Sequence, residues 1–462
     1  MTAPLPLPEL PPPSLETISR RSRDSFIFYG VTVLLFFTVL AFGGRDAWSL
    51  FILQASAATL AALWIIFTQP SNLIGVLSSP LFRPMLAFGA ILCIQLLPRA
   101  SAYWHATYWQ SLLFVSYGII CFLIAQTLKS NRQLRIIAKA LTIFGTSVAL
   151  FAVIQNLSSP HKLYWVLTPR FGGWIYGPYV NHNHYAGLME MLFPIPLVFA
   201  LSRFAHRRER LLAASASAFM AATIFLSGSR GGMIACCVQL TVFILFVCKE
   251  NRNRTVALFL GAFLLAMLGV IAWTGGHEVT ARISTLDADT QSDLATNVRL
   301  QIDRDILRMV RERPVLGWGQ GTFADVYPRF RSFYTDFEVN AAHNDFLQVL
   351  AETGVAGFAV MVWFLVIAIR SAMRKTGKWS SNTNGAVSVA ALVGISGILV
   401  HSLVDFNMQI PANAALFYSL CTVAAMEPRF RTHHRGHYKI ALNYEAQTVS
   451  ESNSAFHVAA SE

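Results

Sequence analysis

Residues 346–369 have the sequence FLQVLAETGVAGFAVMVWFLVIAI, an unbroken apolar stretch with a single charge, Glu352. A membrane-spanning helix needs about 17–25 mostly apolar residues, so this stretch is long enough to cross a bilayer. The whole chain has the same character: 54% of its 462 residues are hydrophobic, 13% are charged, and the mean hydropathy is +0.49. Soluble proteins carry about 25% charged residues, so a soluble enzyme, a disordered scaffold and a collagen-like fibre are excluded. The sequence predicts a polytopic membrane protein.

Apolar segments recur along the chain and predict about twelve transmembrane helices. They are residues 26–42, 47–67, 84–97, 106–126, 140–156, 186–202, 211–227, 232–248, 255–274, 346–369, 386–404 and 411–426. The termini and the loops on their side of the membrane hold 22 Lys and Arg residues, against 13 on the other side, where the long loop 275–345 lies. By the positive-inside rule both termini are cytoplasmic. The expected fold is all-α and polytopic, with one large extracytoplasmic loop.

This topology also accounts for the net charge of +12, so no nucleic-acid partner is expected. Residues 1–25 are Pro-rich and polar and are predicted to form a disordered cytoplasmic arm. Residues 26–427 are assigned to the transmembrane domain and residues 428–462 to a cytoplasmic tail. All six cysteines lie in apolar segments, and no Cys or His set has metal-site spacing. We therefore expect no disulfide framework, metal or cofactor.

Polar residues gather where the outer loop 156–185 meets the sixth apolar segment. The stretch VNHNHYAG (180–187) contains Asn181, Asn183 and His184, whose amides and imidazole can bind sugar hydroxyls or phosphate oxygens without fixed charge. An Asn at a helix start also serves as an N-cap, and both roles fit Asn181. Glu190 follows within two turns. An intramembrane carboxylate is either a functional group or the partner of an Arg on the same face, and the sequence favours neither.

The turn SGSRGG (227–232) joins two apolar segments and carries one charge, Arg230. A lone Arg at a helix end often extends to the lipid headgroups, but that role does not require neighbouring Ser and Gly residues. Glycines allow the backbone to approach closely, and Ser227 and Ser229 add hydrogen-bond donors. The pattern favours an anion-binding site at Arg230.

The middle of the long loop, NVRLQIDRDILRMVRERP (297–314), predicts an amphipathic helix that ends at Pro314. The apolar residues at helical spacing are Val298, Ile302, Ile306 and Met309 or Val310. The loop contains Arg but no Lys, which suits bidentate recognition of phosphate or carboxylate, although Arg308 and Glu312 are spaced to pair with each other. The GWGQG segment (317–321) is predicted to be a turn, because it lacks the strand and helix of a phosphate loop.

His343 ends the long loop, at the predicted boundary between water and membrane. An imidazole there can accept a proton near neutral pH, and Asn344 or Asp345 can orient the ring. A lone His at a helix start is more often a simple polar cap. The wider pattern of motifs decides here between a catalytic role and a capping role for His343.

That pattern resembles the bacterial O-antigen ligase and polymerase superfamily. Five segments stand in the order which that family shows: VNHNHYAG (180–187), SGSRGG (227–232), RPVLGWGQGTF (313–323), HNDFLQVLAETGVAG (343–357) and HSLVDFNMQIPA (401–412). The predicted twelve helices and single large outer loop also resemble the family's GT-C-like architecture. The His flanked by Asn181 and Asn183 departs from the family pattern, in which many members carry Pro.

The resemblance implies a metal-independent glycosyltransferase in the bacterial inner membrane, with its active face in the periplasm. Its donor would be a glycan on undecaprenyl diphosphate, and its acceptor would be a hydroxyl group. The implied catalytic residue is His343, either as the base or in orienting the acceptor, and the implied diphosphate ligands are Arg230 and Arg299. Further candidate substrate-binding residues are Asn181, Asn183, His184 and Asn344. No role is assigned to His182, Glu190, His401 or Asp405.

The acceptor distinguishes the branches of this superfamily. Ligases use lipid A–core, polymerases use another lipid-linked repeat unit, and related oligosaccharyltransferases use protein Ser or Thr. The main outer insertion lies between the ninth and tenth helices, as in ligases, so we predict an O-antigen ligase. The loop 156–185 keeps an O-antigen or exopolysaccharide polymerase as the alternative. A twelve-helix secondary transporter is the alternative from another class; the halves show no repeat and the helix centres are almost uncharged, which disfavours it.

Overall fold

The computed structural model describes residues 15–67, 79–169, 174–250, parts of 258–269, 296–334 and 338–426. Over these ranges the chain forms helices joined by turns, with two isolated β-bridges. The helices are α1 (Leu15–Leu40), α2 (Ala47–Ile66), α3 (Phe82–Gln95), α4 (Trp104–Thr127), α5 (Asn131–Ser158), α6 (His182–Leu192), α7 (Pro194–Ala200), α8 (Arg207–Leu226), α9 (Arg230–Cys248), α10 (Thr296–Glu312), α11 (Phe323–Val326), α12 (Asp345–Met373), α13 (Thr383–His401) and α14 (Pro411–Ala425). The predicted all-α polytopic class is confirmed.

Eight of the described helices are long and apolar enough to cross a membrane, and α3 and α14 are shorter apolar helices. The predicted count of twelve is not confirmed, and the segment predicted at 255–274 lies largely outside the described residues. The sixth predicted segment, 186–202, is two helices instead of one, since Pro194 cannot continue a helix. Helix α1 begins at Leu15, inside the arm predicted for 1–25. Residues 1–14 and the predicted tail lie outside the described residues.

Helix α13 is the central element of the bundle. Its apolar window is 83% buried, whereas the other seven candidate spans are 28–50% buried. Deep in the bundle, Gln239 of α9 donates to the carbonyl oxygens of Glu190 in α6 (2.7 Å) and Val393 in α13 (3.0 Å). A buried amide that ties three helices together replaces hydrogen bonds that water cannot supply there. The three helices that carry Glu190, Arg230 and His401 are therefore held together deep in the bundle.

The outer half of α12 is fixed by the loop that contains GWGQG. Gly354 has φ +63° inside the helix, and there the loop takes over the helical hydrogen bonds: Trp318 N donates to Ala351 O (3.0 Å) and Val355 N donates to Pro314 O (2.8 Å). A Cβ on Gly354 would lie 2.3 Å from the carbonyl oxygen of Val315, so only glycine fits. The GWGQG segment is a turn, as predicted, and its function in the fold is to anchor the start of α12.

Helix α10 docks on this loop through the face that its sequence predicted. Ile302, Ile306 and Met309 are fully buried, and the apolar side chains they join include Trp318 and Phe323. The predicted pair of Arg308 with Glu312 is wrong: Arg308 pairs with Asp305, and Glu312 accepts from Arg329 Nη2 at 3.0 Å. Asp305 is buried and also accepts from Tyr327 and Ser332, so it is a fixed carboxylate within reach of Arg308.

Candidate active site

His343 stands two residues before α12, in the left-handed region of backbone space with φ +51°. This conformation is unusual for a residue other than glycine, and such residues concentrate at functional sites. The structure holds it from the next two residues: Asn344 caps α12 by accepting from Leu347 N (3.2 Å), and Asp345 N donates to Ser402 O (2.9 Å). The His343 side chain is 18% exposed, so its imidazole can meet a substrate.

Asp405, in the turn that follows α13, faces His343. Its Oδ1 lies 3.8 Å from His343 Nδ1, and the ring of the neighbouring Phe406 packs edge-on to the imidazole at 4.8 Å. The expectation that Asn344 or Asp345 orients the ring is not met by their contacts. Asn344 caps the helix, and Asp345 Oδ2 accepts from Ser402 Oγ (2.8 Å) and Met408 N (3.0 Å), which fixes the turn instead.

Asp405 is an ionised carboxylate at neutral pH. Burial by itself raises its pKa, but Coulombic attraction to His184, His343, His401 and Arg299 around it outweighs burial and brings the pKa to about 2. A fixed negative charge beside an imidazole stabilises the protonated form that a general base acquires. The motif HSLVDFNMQIPA contains Asp405, but its side chain meets His343 only through tertiary packing.

Arg299 reaches the same turn from the long loop. It lies in the first turns of α10, and its Nη1 donates to Val404 O at 3.0 Å. The buried apolar face of α10 sets the position of this guanidinium, because the helix rests on the loop that anchors α12. Arg299 and His343 therefore approach the turn 402–406 from two segments that are themselves packed together.

Arg230 begins α9 and is half-buried. Ser229 caps this helix by accepting from Gly232 N (3.1 Å), and its Oγ lies 3.5 Å from His401 Nε2. A guanidinium at a helix N-terminus, where free N–H groups point outward, suits an anionic ligand. The contact with His401 links the SGSRGG turn to the end of α13, from which the Asp405 turn continues.

Within the 180–187 stretch, one residue caps a helix and another lies beside the candidate site. Asn181 Oδ1 accepts from Asn183 N (2.8 Å), so the N-cap role is shown for Asn181, while Asn183 is half-buried. His184 is buried with its ring 4.7 Å from Phe406, on which His343 also packs. Burial lowers the pKa of His184 to about 4, so it is neutral at physiological pH. Its partner across the bundle is Asn413, which donates to His184 O at 3.0 Å.

Glu190 forms its hydrogen bond with a histidine from another helix. Its Oε1 lies 2.7 Å from His401 Nδ1, and both side chains are at most 1% exposed. The sequence alternative of an Arg partner on the same face did not anticipate this contact, which joins residues 211 positions apart.

Two neighbouring cavities lie beside the turn 402–406. An apolar groove between α3, α4, α12 and α14 contains about 1090 Å³ of free space, and Asp345, Ser402 and Gln409 lie among its polar lining residues. A more polar cavity of about 710 Å³ shares Gln110, Leu113 and Gln409 with the groove and is lined further by Arg45, Gln348 and Glu352. The groove is mainly apolar and the cavity beside it is more polar, and this pairing suits an amphiphilic ligand.

Residues 215–362 match a family model described as O-antigen ligase. The match contains Arg230, Arg299 and His343, and it confirms the resemblance to the O-antigen ligase and polymerase superfamily. It also favours a glycan-transferring enzyme over a transporter. A search of curated proteins finds no match to the chain.

Proposed function

We propose that this protein transfers a glycan from undecaprenyl diphosphate to a hydroxyl acceptor at the extracytoplasmic end of the helices, in the bacterial inner membrane. The observation that carries the proposal is the convergence on one turn. His343 faces Asp405 and Arg299 binds Val404 O, while Arg230 follows Ser229, which contacts His401 at the start of that turn. The matched family supports a glycan ligase of this general kind.

In the proposed reaction, His343 accepts the proton of the acceptor hydroxyl as its oxygen bonds to the anomeric carbon of the glycan. The bond from that carbon to the diphosphate oxygen breaks, and its electron pair stays on the diphosphate. Arg230 and Arg299 offset the charge that grows there, and Asp405 stabilises the imidazolium. The proton then passes from His343 to water or to the released lipid diphosphate.

The two cavities support a lipid-linked donor. A polyprenyl chain needs an apolar channel that opens near the diphosphate, and the groove is lined by Ser402 and by Asp345, two residues after His343. The glycan and its acceptor need polar surroundings, which the cavity lined by Arg45 and Gln348 supplies. Burial of the many CH₂ groups of the polyprenyl chain would hold the donor in place while its head group reacts.

Within the superfamily we propose an O-antigen ligase that acts on lipid A–core, because the main outer insertion lies between the ninth and tenth predicted helices. A gene deletion tests this. Loss of a ligase should leave lipopolysaccharide without its polymer, while full-length glycan accumulates on the lipid carrier. Lipopolysaccharide capped by a single repeat would identify a polymerase. Unchanged lipopolysaccharide with loss of a glycosylated protein or a secreted polysaccharide would contradict both assignments.

A further inference from the structure

A buried carboxylate–imidazole pair joins α6 to α13 next to the candidate site. Glu190 and His401 are 0% and 1% exposed, and their hydrogen bond is 2.7 Å long. Removing such groups from water costs about as much as their interaction returns, so the pair is a poor source of stability compared with apolar side chains of the same size. Its contacts suggest a different use.

The pair contacts the start of α9 on both sides of Arg230. His401 Nε2 lies 3.5 Å from Ser229 Oγ, and a Cβ on Gly231 would lie 2.6 Å from His401 Cδ2. A Cβ on Gly232 would lie 3.2 Å from Glu190 Oε1 and 2.8 Å from the Cβ of Ala186. The glycines of SGSRGG thus let α9 begin directly against the pair, so that the place of the pair determines the place of Arg230.

The pair also fixes the first residues of the turn beside His343. The carbonyl oxygen of His401 accepts from Val404 N (3.0 Å) and Asp405 N (3.1 Å). Val404 O in turn accepts from Arg299, and Asp405 faces His343. A displacement of His401 would therefore move the backbone that holds Arg299 and the carboxylate that faces His343.

We propose that Glu190 and His401 are positioning residues for glycan transfer. Their hydrogen bond holds Arg230 and the Val404–Asp405 backbone at a fixed position relative to His343, and we call this relative position the register of the site. The inference rests on the proposed function, because register matters only if these groups act on one substrate. Neither side chain touches the reacting atoms in this mechanism. A misplacement of about 1 Å at a reacting centre can cost about 10²-fold in rate, which sets the size of the expected effect.

The decisive variant replaces both partners, Glu190→Leu with His401→Leu. Removing one partner strands a buried polar group and destabilises the fold, whereas replacing both with apolar side chains is often neutral or stabilising. We expect the double variant to unfold at a temperature close to wild type, with kcat for transfer from a lipid-linked donor about 10²-fold lower and KM little changed. Glu190→Gln, whose amide oxygen still accepts from His401, should keep most of kcat.

Gln239→Met is the matched control. Gln239 ties the same helices α6, α9 and α13, but through the carbonyl oxygens of Glu190 and Val393, and it lies nine residues from Arg230, roughly 13 Å along α9. This variant should lower thermal stability and leave kcat per folded molecule unchanged. If the pair only holds helices together, Gln239→Met and the double variant would affect kcat alike.

Hydrogen–deuterium exchange tests the register without an activity assay. In the double variant, but not in Gln239→Met, exchange should accelerate at the amides of Gly232, Val404 and Asp405. Wild-type exchange at these amides, or wild-type kcat, in the folded double variant would overturn the inference. A wild-type protein that transfers no glycan from lipid diphosphate would instead contradict the proposed function, and the exchange measurement would still decide whether the pair sets the register.

Discussion

Replacing Asp405 with Asn would remove one negative charge from the site while keeping the shape of the side chain. Asp405 Oδ1 lies 3.8 Å from His343 Nδ1, and the low pKa of Asp405, about 2, keeps the carboxylate charged at any working pH. In the proposed reaction His343 gains a proton only as the acceptor hydroxyl attacks. The carboxylate therefore stabilises the transition state more than the ground state, in which the imidazole is neutral.

The expected loss follows from the distance and the burial. Two unit charges about 4 Å apart interact by about 1 kcal/mol in water and about 4 kcal/mol at an effective dielectric constant of 20. The Asp405 side chain is 2% exposed and that of His343 is 18% exposed, so the pair lies between these limits. A loss of about 1–4 kcal/mol corresponds to a fall in kcat of about five-fold to a thousand-fold, with KM nearly unchanged.

The assay is single-turnover transfer from a saturating lipid-linked donor, with purified protein in bilayer discs. Asp24→Asn is the matched control, because Asp24 is also a buried, ion-paired carboxylate, bonded to Lys129 Nζ at 2.6 Å, in a part of the bundle without site residues. It should lower stability but not kcat per folded molecule. If Asp405→Asn turns over like wild type, or loses activity only through KM, the carboxylate does not act on His343 in the transition state.

Four further predictions follow from the same site. His343→Ala should keep the fold and lose about 10²–10⁴-fold in transfer rate, measured at matched membrane levels; near-wild-type turnover would remove His343 from the mechanism. Arg230→Lys and Arg299→Lys should both impair transfer, because a bidentate diphosphate contact needs the guanidinium. Exposed Arg311 should tolerate Lys. An equal fall in transfer rate for all three variants would refute the assignment of Arg230 and Arg299 as dedicated diphosphate ligands. Transfer should continue in the presence of a chelator, and rescue of a lost activity by one divalent ion would contradict metal independence. The pKa of His184 falls from an ordinary value near 6.5 to about 4 in the folded state, so its neutral form favours folding above pH 6.5. On the order of 3 kcal/mol of stability should be lost as the pH falls from 6.5 to 4. Thermal unfolding across this window should show a smaller loss for His184→Gln, and equal losses in wild type and variant would refute the lowered pKa of His184.

Local patterns in the sequence predicted those features that local forces decide. Hydropathy predicted the spans because a bilayer demands apolar helices, and the 3.6-residue period predicted the buried face of α10 at Ile302, Ile306 and Met309. The N-cap role considered for Asn181 is local too, since its side chain bonds to a backbone N–H two residues away. Pro194 shows the limit of this approach: hydropathy continued through it and predicted one helix where there are two.

The partners of the site residues depended on packing that no local pattern encodes. Spacing suggested Asn344 or Asp345 as the residue that orients His343, yet helix geometry turns these side chains to the cap and to Ser402. The acid that faces His343 comes from 62 positions further along, because α12 begins and α13 ends at the same face of the bundle. Likewise the sequence offered an Arg of the same face as one of two equal interpretations of Glu190, whereas in the folded bundle its carboxylate contacts His401.

The glycines in the motifs explain why segments so far apart in sequence meet with such accuracy. Gly354 lets the loop before α11 bond to the backbone of α12, and this joint anchors the first part of the helix that begins two residues after His343. Gly231 and Gly232 let α9 begin against the Glu190–His401 pair, and that joint fixes Arg230. Neither joint leaves room for a Cβ: Gly354 lies against the backbone of Val315, and Gly231 and Gly232 lie against the buried side chains of His401 and Ala186. In the proposed reaction, guanidinium and imidazole groups on such rigid joints would lose little freedom on binding a diphosphate and a sugar, and such preorganisation is what a reaction driven by fixed charges requires.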